Sequence, residues 1–235
     1  MAKLVQKSGY IKSGKASGYM RYIATREGVE KLAGNSAVTK GQRELIQKLL
    51  HDFPDAVELF EYEDYCRTPT LGTASAFISM ALDANLHEID PESGYMQYIA
   101  TRPRVQKRGT HGLFSSATAV DLASAISELE AHEGNVWTII YSLRREDADR
   151  LEYDNADAWR ALLMENAPTL AKSMKISLEN FHWYAAFHDE GHHPHIHMMV
   201  WSDDPKEGFL TRDGIATMRS KLTNAIFRDE MQQIY

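Results

Sequence analysis

One cysteine, Cys66, stands among 235 residues, so the chain cannot build an internal disulfide framework, and a reducing compartment is expected. Only 7 Pro and 14 Gly leave no room for a collagen-like or low-complexity chain, and 43% hydrophobic residues exclude a disordered one. Charge interrupts every apolar run before the roughly 18 to 20 residues that a membrane-spanning helix needs. The basic N-terminus MAKLVQKSGYIKSGK lacks the apolar core of a secretory signal, so a soluble, cytoplasmic protein without a membrane partner is expected. Positive charge is also short: 26 Lys+Arg face 33 Asp+Glu, a net charge of −7, which argues against a protein that coats nucleic acid.

The charge is uneven. Met1 to Arg26 carries Lys3, Lys7, Lys12, Lys15, Arg21 and Arg26 and no acid; Ser93 to Val120 carries Arg102, Arg104, Lys107 and Arg108, again without Asp or Glu. Between them, Asp52 to Asp64 packs Asp52, Asp55, Glu58, Glu61, Glu63 and Asp64 into one acidic stretch. Both basic islands carry the same sequence. Gly18-Tyr19-Met20-Arg21-Tyr22-Ile23-Ala24-Thr25-Arg26 returns as Gly94-Tyr95-Met96-Gln97-Tyr98-Ile99-Ala100-Thr101-Arg102, identical except at Arg21 and Gln97. Two copies do not make a solenoid, so a local duplication, or two segments with similar tasks, is the reading. On a helix the two tyrosines of each copy share one face, where packing into the core competes with a role in binding.

Alternation and helical spacing predict strands over Leu4 to Ile11, Val136 to Leu143, Phe181 to Phe187 and His195 to Trp201. They predict helices over Tyr19 to Thr25, Gly41 to Leu50, Thr73 to Asn85, Thr118 to Glu130, Asp157 to Met174 with a break near Pro168, and Asp213 to Gln232. The last two strands are close enough for an antiparallel hairpin with Gly191 in its turn. The elements mix without regular βαβ alternation, which predicts an α+β fold with an antiparallel sheet, and no linker marks a domain boundary within residues 1–235.

The strongest chemical signal is a run of histidines: His182, His188, His192, His193, His195 and His197. Period two puts His195 and His197 on one face of a strand, and the hairpin brings His188 opposite them. Three neutral imidazoles suit a divalent ion, leave positions open for water or substrate, and leave the ion its full charge as a Lewis acid on a phosphoryl oxygen. His193 is an alternative third ligand. Adventitious binding by a His-rich turn competes with this reading. A zinc protease does not, because in His188-Asp189-Glu190-Gly191-His192 the Glu stands one place late and Gly breaks the required helix. HPHIHMMV is also similar to the histidine-triad nucleotide hydrolases, in which the residue matching His195 attacks phosphorus without a metal.

The segment HDEGHHPHIHMMVW resembles the histidine-hydrophobe-histidine (HUH) motif of conjugative relaxases. GYMRYIATREGVEKL, YIATRPRVQKRGTHGLFS, WTIIYSLRREDADRL and GFLTRDGIATMRSKLTNAIF resemble mobilisation relaxases of the MobL or MobP kind, over nearly the whole chain. The resemblance implies one relaxase domain over 1–235, either complete or the N-terminal part of a longer protein, with helices flanking a central antiparallel sheet and the histidine motif on a central strand. It implies strand-specific nicking at an origin of transfer: a tyrosine attacks the scissile phosphodiester of single-stranded DNA, stays joined to the 5′ phosphate, and reseals the strand after transfer. Tyr22 matches the family's tyrosine best, and Tyr19 is the alternative. His188, His195 and His197 match the ligands of a divalent ion, Mn²⁺ first, with Zn²⁺, Ni²⁺, Co²⁺ or Mg²⁺ as alternatives. Lys12, Lys15, Arg21 and Arg26, together with Tyr95, Tyr98, Arg102, Arg104, Lys107 and Arg108, are then the surface that holds the strand. Such a surface role predicts that Tyr98→Phe leaves cleavage nearly intact. Relaxosome accessory proteins and a coupling protein are the implied partners, with passage into the recipient cell alongside the DNA. The family's acid beside the histidines has no counterpart in Val136 to Leu143; Glu190, Asp189, Glu146 and Asp147 are the candidates. A non-catalytic origin-binding module remains the reading from another class.

Overall fold

The computed structural model describes residues 3–10, 37–85, 96, 99–101, 105–107, 110–117, 119–132, 134–189 and 191–228. The chain divides into two compact units, Lys12–Pro91 and the combination of Met1–Ile11 with Glu92–Tyr235. The helix expected over Tyr19 to Thr25 lies outside the described residues.

Among the described residues of Lys12–Pro91, threonines start two of three helices. Thr39 accepts from the Gln42 amide while the Gln42 side chain accepts from the Thr39 amide, and this capping box opens α1 (Lys40–Asp52). After a 3₁₀ turn at Pro54–Glu58 comes α2 (Phe60–Arg67), and Thr70 with Thr73 caps α3 (Leu71–Ala84) in the same way. Ile46 and Leu49 of α1, Phe60 of α2, and Phe77 and Ile78 of α3 are buried. The expected helices correspond to α1 and α3, whereas α2 is hidden in sequence by the acidic stretch that blurs its apolar spacing.

The other unit contains β1 (Val5–Tyr10), β2 (Leu113–Phe114), α4 (Leu122–Glu130), β3 (Trp137–Ser142), α5 (Arg145–Arg150), α6 (Ala156–Ser173), β4 (Phe181–His188), β5 (His195–Ser202) and α7 (Arg212–Ile226). The strands form one sheet in the order β1-β3-β5-β4-β2, with every neighbouring pair antiparallel. The fold is therefore the expected α+β, and the histidine-bearing β5 is the central strand. The expected hairpin is β4–β5, in register from Phe181 opposite Ser202 to His188 opposite His195.

Directly opposed residues of a sheet share a face, so the register sorts the side chains into two sets. One face carries Ile139, Tyr141, Trp183, Phe187, Ile196, Met198 and Val200, which join Trp159 and Leu163 of α6 and Met218 and Leu222 of α7 in the core. The other carries Lys7, Ile140, Ser142, Ala186, His188, His195 and His197. One face therefore builds the core and the other keeps polar groups together.

Two expectations shift, and a third runs past the described residues. α6 runs through Pro168 without a break. Proline crowds the carbonyl four residues back, here that of Met164, whose exposed position (43%) lets the carbonyl turn to solvent, while buried residues on both sides of the proline hold the helix to the sheet. α4 begins at Leu122 rather than near Thr118, because Asp121 caps it by accepting from the Ser124 amide at 2.8 Å. α7 is described to Ile226, and residues 229–235 lie outside the described set. No helix among the described residues is long and apolar enough to cross a membrane.

Tyr141 sits on the core face, and its fully buried hydroxyl has no hydrogen-bond partner among the described residues. Burial pushes the phenol far above its ordinary value. Tyr141→Phe removes a desolvated hydroxyl while keeping the ring. It is expected to stabilise the protein by about 1 kcal/mol, read as a rise of about 2 to 4 °C in thermal unfolding; a lower Tm would show that the hydroxyl is satisfied.

Candidate metal centre

His195 and His197 project from the same face of β5 because one residue separates them, and the hairpin sets His188 directly opposite His195. All three are buried. Their ring centroids form a triangle with sides of 5.2, 4.7 and 5.1 Å, and one ring nitrogen from each lies within 4.8 Å of the others. Among the described residues this is the one group with metal-ligand spacing.

Two backbone carbonyls set the tautomers. Nε2–H of His188 donates to the Ile99 carbonyl at 2.9 Å, and Nδ1–H of His195 donates to the His193 carbonyl at 3.0 Å. A carbonyl can only accept, so each facing nitrogen carries a proton, and in the neutral ring, the form that can ligate a metal, the lone pair is on Nδ1 of His188 and Nε2 of His195. In that form an oriented set of nitrogen donors fits a divalent transition ion, and the ion would be held by His188, His195 and His197.

The turn that delivers His195 is tied to the end of β3. Leu143 N–H donates to the Pro194 carbonyl at 3.2 Å and Arg145 N–H to the His192 carbonyl at 2.9 Å. The Arg145 guanidinium donates to the Gly191 carbonyl at 3.1 Å and pairs with Asp189. His193 is buried and contributes its carbonyl, but it is not part of the three-nitrogen group. His182 lies further along the same face, stacked on Trp201 at 5.8 Å and hydrogen-bonded to Asp203 at 2.6 Å.

Two of the acids considered from sequence have other contacts. Asp189 is held by Arg145, Asp147 accepts from Arg150 at 2.5 Å, Glu146 is exposed, and Glu190 lies outside the described residues. The observed outer acceptors of His188 and His195 are carbonyls instead. Any acceptor can orient an imidazole, and a backbone one leaves no residue type to recognise in the sequence.

The second copy of the repeat borders the histidines. Met96, Ile99 and Ala100 are buried helical residues, and it is the carbonyl of Ile99 that accepts the His188 hydrogen bond. Val105 then forms an antiparallel bridge with His188, and Gln106 N–H donates to the Phe187 carbonyl at 2.9 Å. Lys107 follows, exposed. Tyr95, Tyr98, Arg102, Arg104 and Arg108 lie outside the described residues, as do Lys12, Lys15, Tyr19, Arg21, Tyr22 and Arg26.

No curated protein and no solved structure matches the chain. The family model of MobL relaxases matches residues 1–235, its whole length.

Proposed function

Because the chain belongs to the MobL relaxase family, and so is a DNA relaxase that nicks DNA in mobilisation, we propose that it cuts one strand at an origin of transfer by tyrosine transesterification at the three-histidine centre. The observation that carries this reading is the buried triangle of His188, His195 and His197 on the central strand pair, with two tautomers set for ligation.

In the proposed step the phenol oxygen of Tyr22, or of Tyr19, attacks the scissile phosphorus and loses its proton. The bond from phosphorus to the 3′ oxygen breaks, that oxygen takes up a proton, and the 5′ phosphate remains on the tyrosine. A phenol, with a pKa of about 10, is a better leaving group than an alkyl alcohol, so the reverse attack by a 3′ hydroxyl reseals the strand. His188, His195 and His197 would hold a divalent ion, Mn²⁺ first, which would supply Lewis acidity toward the phosphoryl oxygens. Basic residues of the two islands hold the flanking phosphates, which suits a chain whose net charge of −7 disfavours indiscriminate coating of duplex DNA.

One observation favours a second assignment of the phenol. Ile99, whose carbonyl orients His188, follows Tyr98 directly in the chain, as Ile23 follows Tyr22 in the first copy. That adjacency in the chain favours Tyr98 as an alternative nucleophile.

Trypsin separates the candidates. Tyr22 lies on the peptide 22–26, Tyr19 on 16–21, and Tyr95 with Tyr98 on 68–104, since the Arg102–Pro103 bond resists cleavage. After incubation with Mn²⁺ and single strands tiling the element's transfer origin, a covalent protein–DNA band is expected, with the adduct on 22–26. An adduct on 68–104 moves the chemistry to the second copy. No adduct with any strand defeats the transesterase reading in favour of a binding module.

A further inference from the structure

The two strands on the other side of β5 bring two more polar groups to the histidine face. Ser142 of β3 stands opposite His195 and Ile140 opposite His197; Lys7 of β1 stands opposite Ile140. The hydrogen bond from Leu143 N–H to the Pro194 carbonyl makes the next pair, Ser142 with His195, the non-hydrogen-bonded kind. Such pairs bring their Cα atoms to about 4.5 Å and their side chains closest together. Ser142 is 1% exposed, and its hydroxyl has no hydrogen-bond partner among the described residues. Lys7, 7% exposed, projects on the same face two strands from His197.

A hydroxyl buried beside a triad of imidazoles is a poor packing element: alanine would fill the position without a polar group to satisfy. It gains a purpose when an acceptor enters from outside the chain. The ammonium of Lys7 adds positive charge to the same face, which selects an anionic acceptor. At a centre where the proposed reaction cleaves single-stranded DNA, the anion with oxygens to offer is the phosphodiester.

We infer that Ser142 and Lys7 form the phosphate-binding part of the centre, with the Ser142 hydroxyl donating to a non-bridging oxygen of the scissile phosphate and the Lys7 ammonium balancing its charge. This rests on the transesterase reading and adds to it two groups that no metal ligation requires. The serine contact strengthens as charge builds on the phosphoryl oxygens, so its contribution falls mainly on the cleavage rate. Lys7 acts on the charge already present in the bound strand, so its contribution falls mainly on affinity.

The test uses the full chain with Mn²⁺ and whichever origin strand gives an adduct with the parent protein. Ser142→Ala is expected to lower the single-turnover cleavage rate about 10²-fold, as loss of one donor to a developing oxyanion does, with Mn²⁺ affinity at the parental value and Tm at or above it, since the variant loses a desolvated hydroxyl. Lys7→Met is expected to weaken strand binding and reduce the slope of log affinity against log salt by about 1, while Lys7→Arg restores most of both. Ser142→Ala cleaving at the parental rate overturns the inference, as does a loss of cleavage that follows a parallel loss of Mn²⁺ affinity, which would make Ser142 a support for His195. Lys7→Met that lowers Tm but leaves strand affinity and salt slope intact removes the lysine's role. A parent protein that forms no adduct with any strand sinks the transesterase reading and this inference together; a parent that reacts beside an equally reactive Ser142→Ala sinks only the inference.

Discussion

Replacing His197 with alanine is expected to abolish Mn²⁺ binding and nicking together. The ring belongs to a three-nitrogen set whose members lie within 4.8 Å of one another, and two remaining imidazoles do not define a closed face of a coordination sphere. Loss of an outer partner alone typically lowers metal affinity about 10- to 100-fold, so loss of a ligand exceeds that range. Lewis-acid stabilisation of a phosphoryl transfer is worth several kcal/mol, and a tenfold rate change corresponds to about 1.4 kcal/mol, so cleavage falls by roughly 10³-fold or more. Titration calorimetry with Mn²⁺ reads the first effect and the covalent band reads the second. A chelator imposes the same loss on the parent protein. Full activity in chelator would favour the histidine-triad reading, in which His195 attacks phosphorus, and unaltered nicking by His197→Ala would remove the metal from the reaction.

Much of this centre was legible before the fold was known, and the reason is geometric. Strand periodicity places His195 and His197 together whatever the rest of the chain does, and a short connection between two β-branched, aromatic segments leaves a hairpin as the simplest path for His188. The strands predicted over Val136 to Leu143 and His195 to Trp201 appear as Trp137–Ser142 and His195–Ser202. Strand order was not legible. That β1 pairs with β3, so that Lys7 shares a rung with His197, depends on a register between segments about 130 residues apart, which periodicity does not encode. β2 escaped notice because only Leu113 and Phe114 pair, too short a run for alternation to register. The outer shell was the least legible part. His188 is oriented by the carbonyl of a residue 89 positions away, and any amino acid at Ile99 would present the same atom. The repeat marked the two copies as equivalent, whereas the fold sets the buried residues of the second against the histidines.

That second-copy wall depends on a glycine remote from any ligand. Gly112 N–H donates to the Ala100 carbonyl at 2.7 Å, next to the carbonyl that accepts the His188 hydrogen bond. A Cβ at Gly112 would stand 2.1 Å from Val105 Cγ2, 3.2 Å from Val105 Cβ and 3.1 Å from the Gln106 carbonyl oxygen. Val105 is buried, β-branched and bridged to His188, so a rotamer change alone does not make room. Either Val105 leaves His188 or the Ala100 hydrogen bond stretches, and both disturb the Ile99 carbonyl. Gly112→Ala is therefore expected to lower Mn²⁺ affinity about 10- to 100-fold, the range for loss of an outer partner. Overpacking is expected to cost about 1 to 3 kcal/mol of stability as well. Adding Val105→Ala removes the methyl at 2.1 Å, so the double variant is expected to recover most of the metal affinity, a coupling that a mutant cycle by calorimetry measures directly. If Gly112→Ala binds Mn²⁺ like the parent, the Ile99 carbonyl is not what holds His188 in its ligating tautomer. If the single variant fails and the double variant does not recover, the glycine serves the backbone of β2 rather than the packing against Val105.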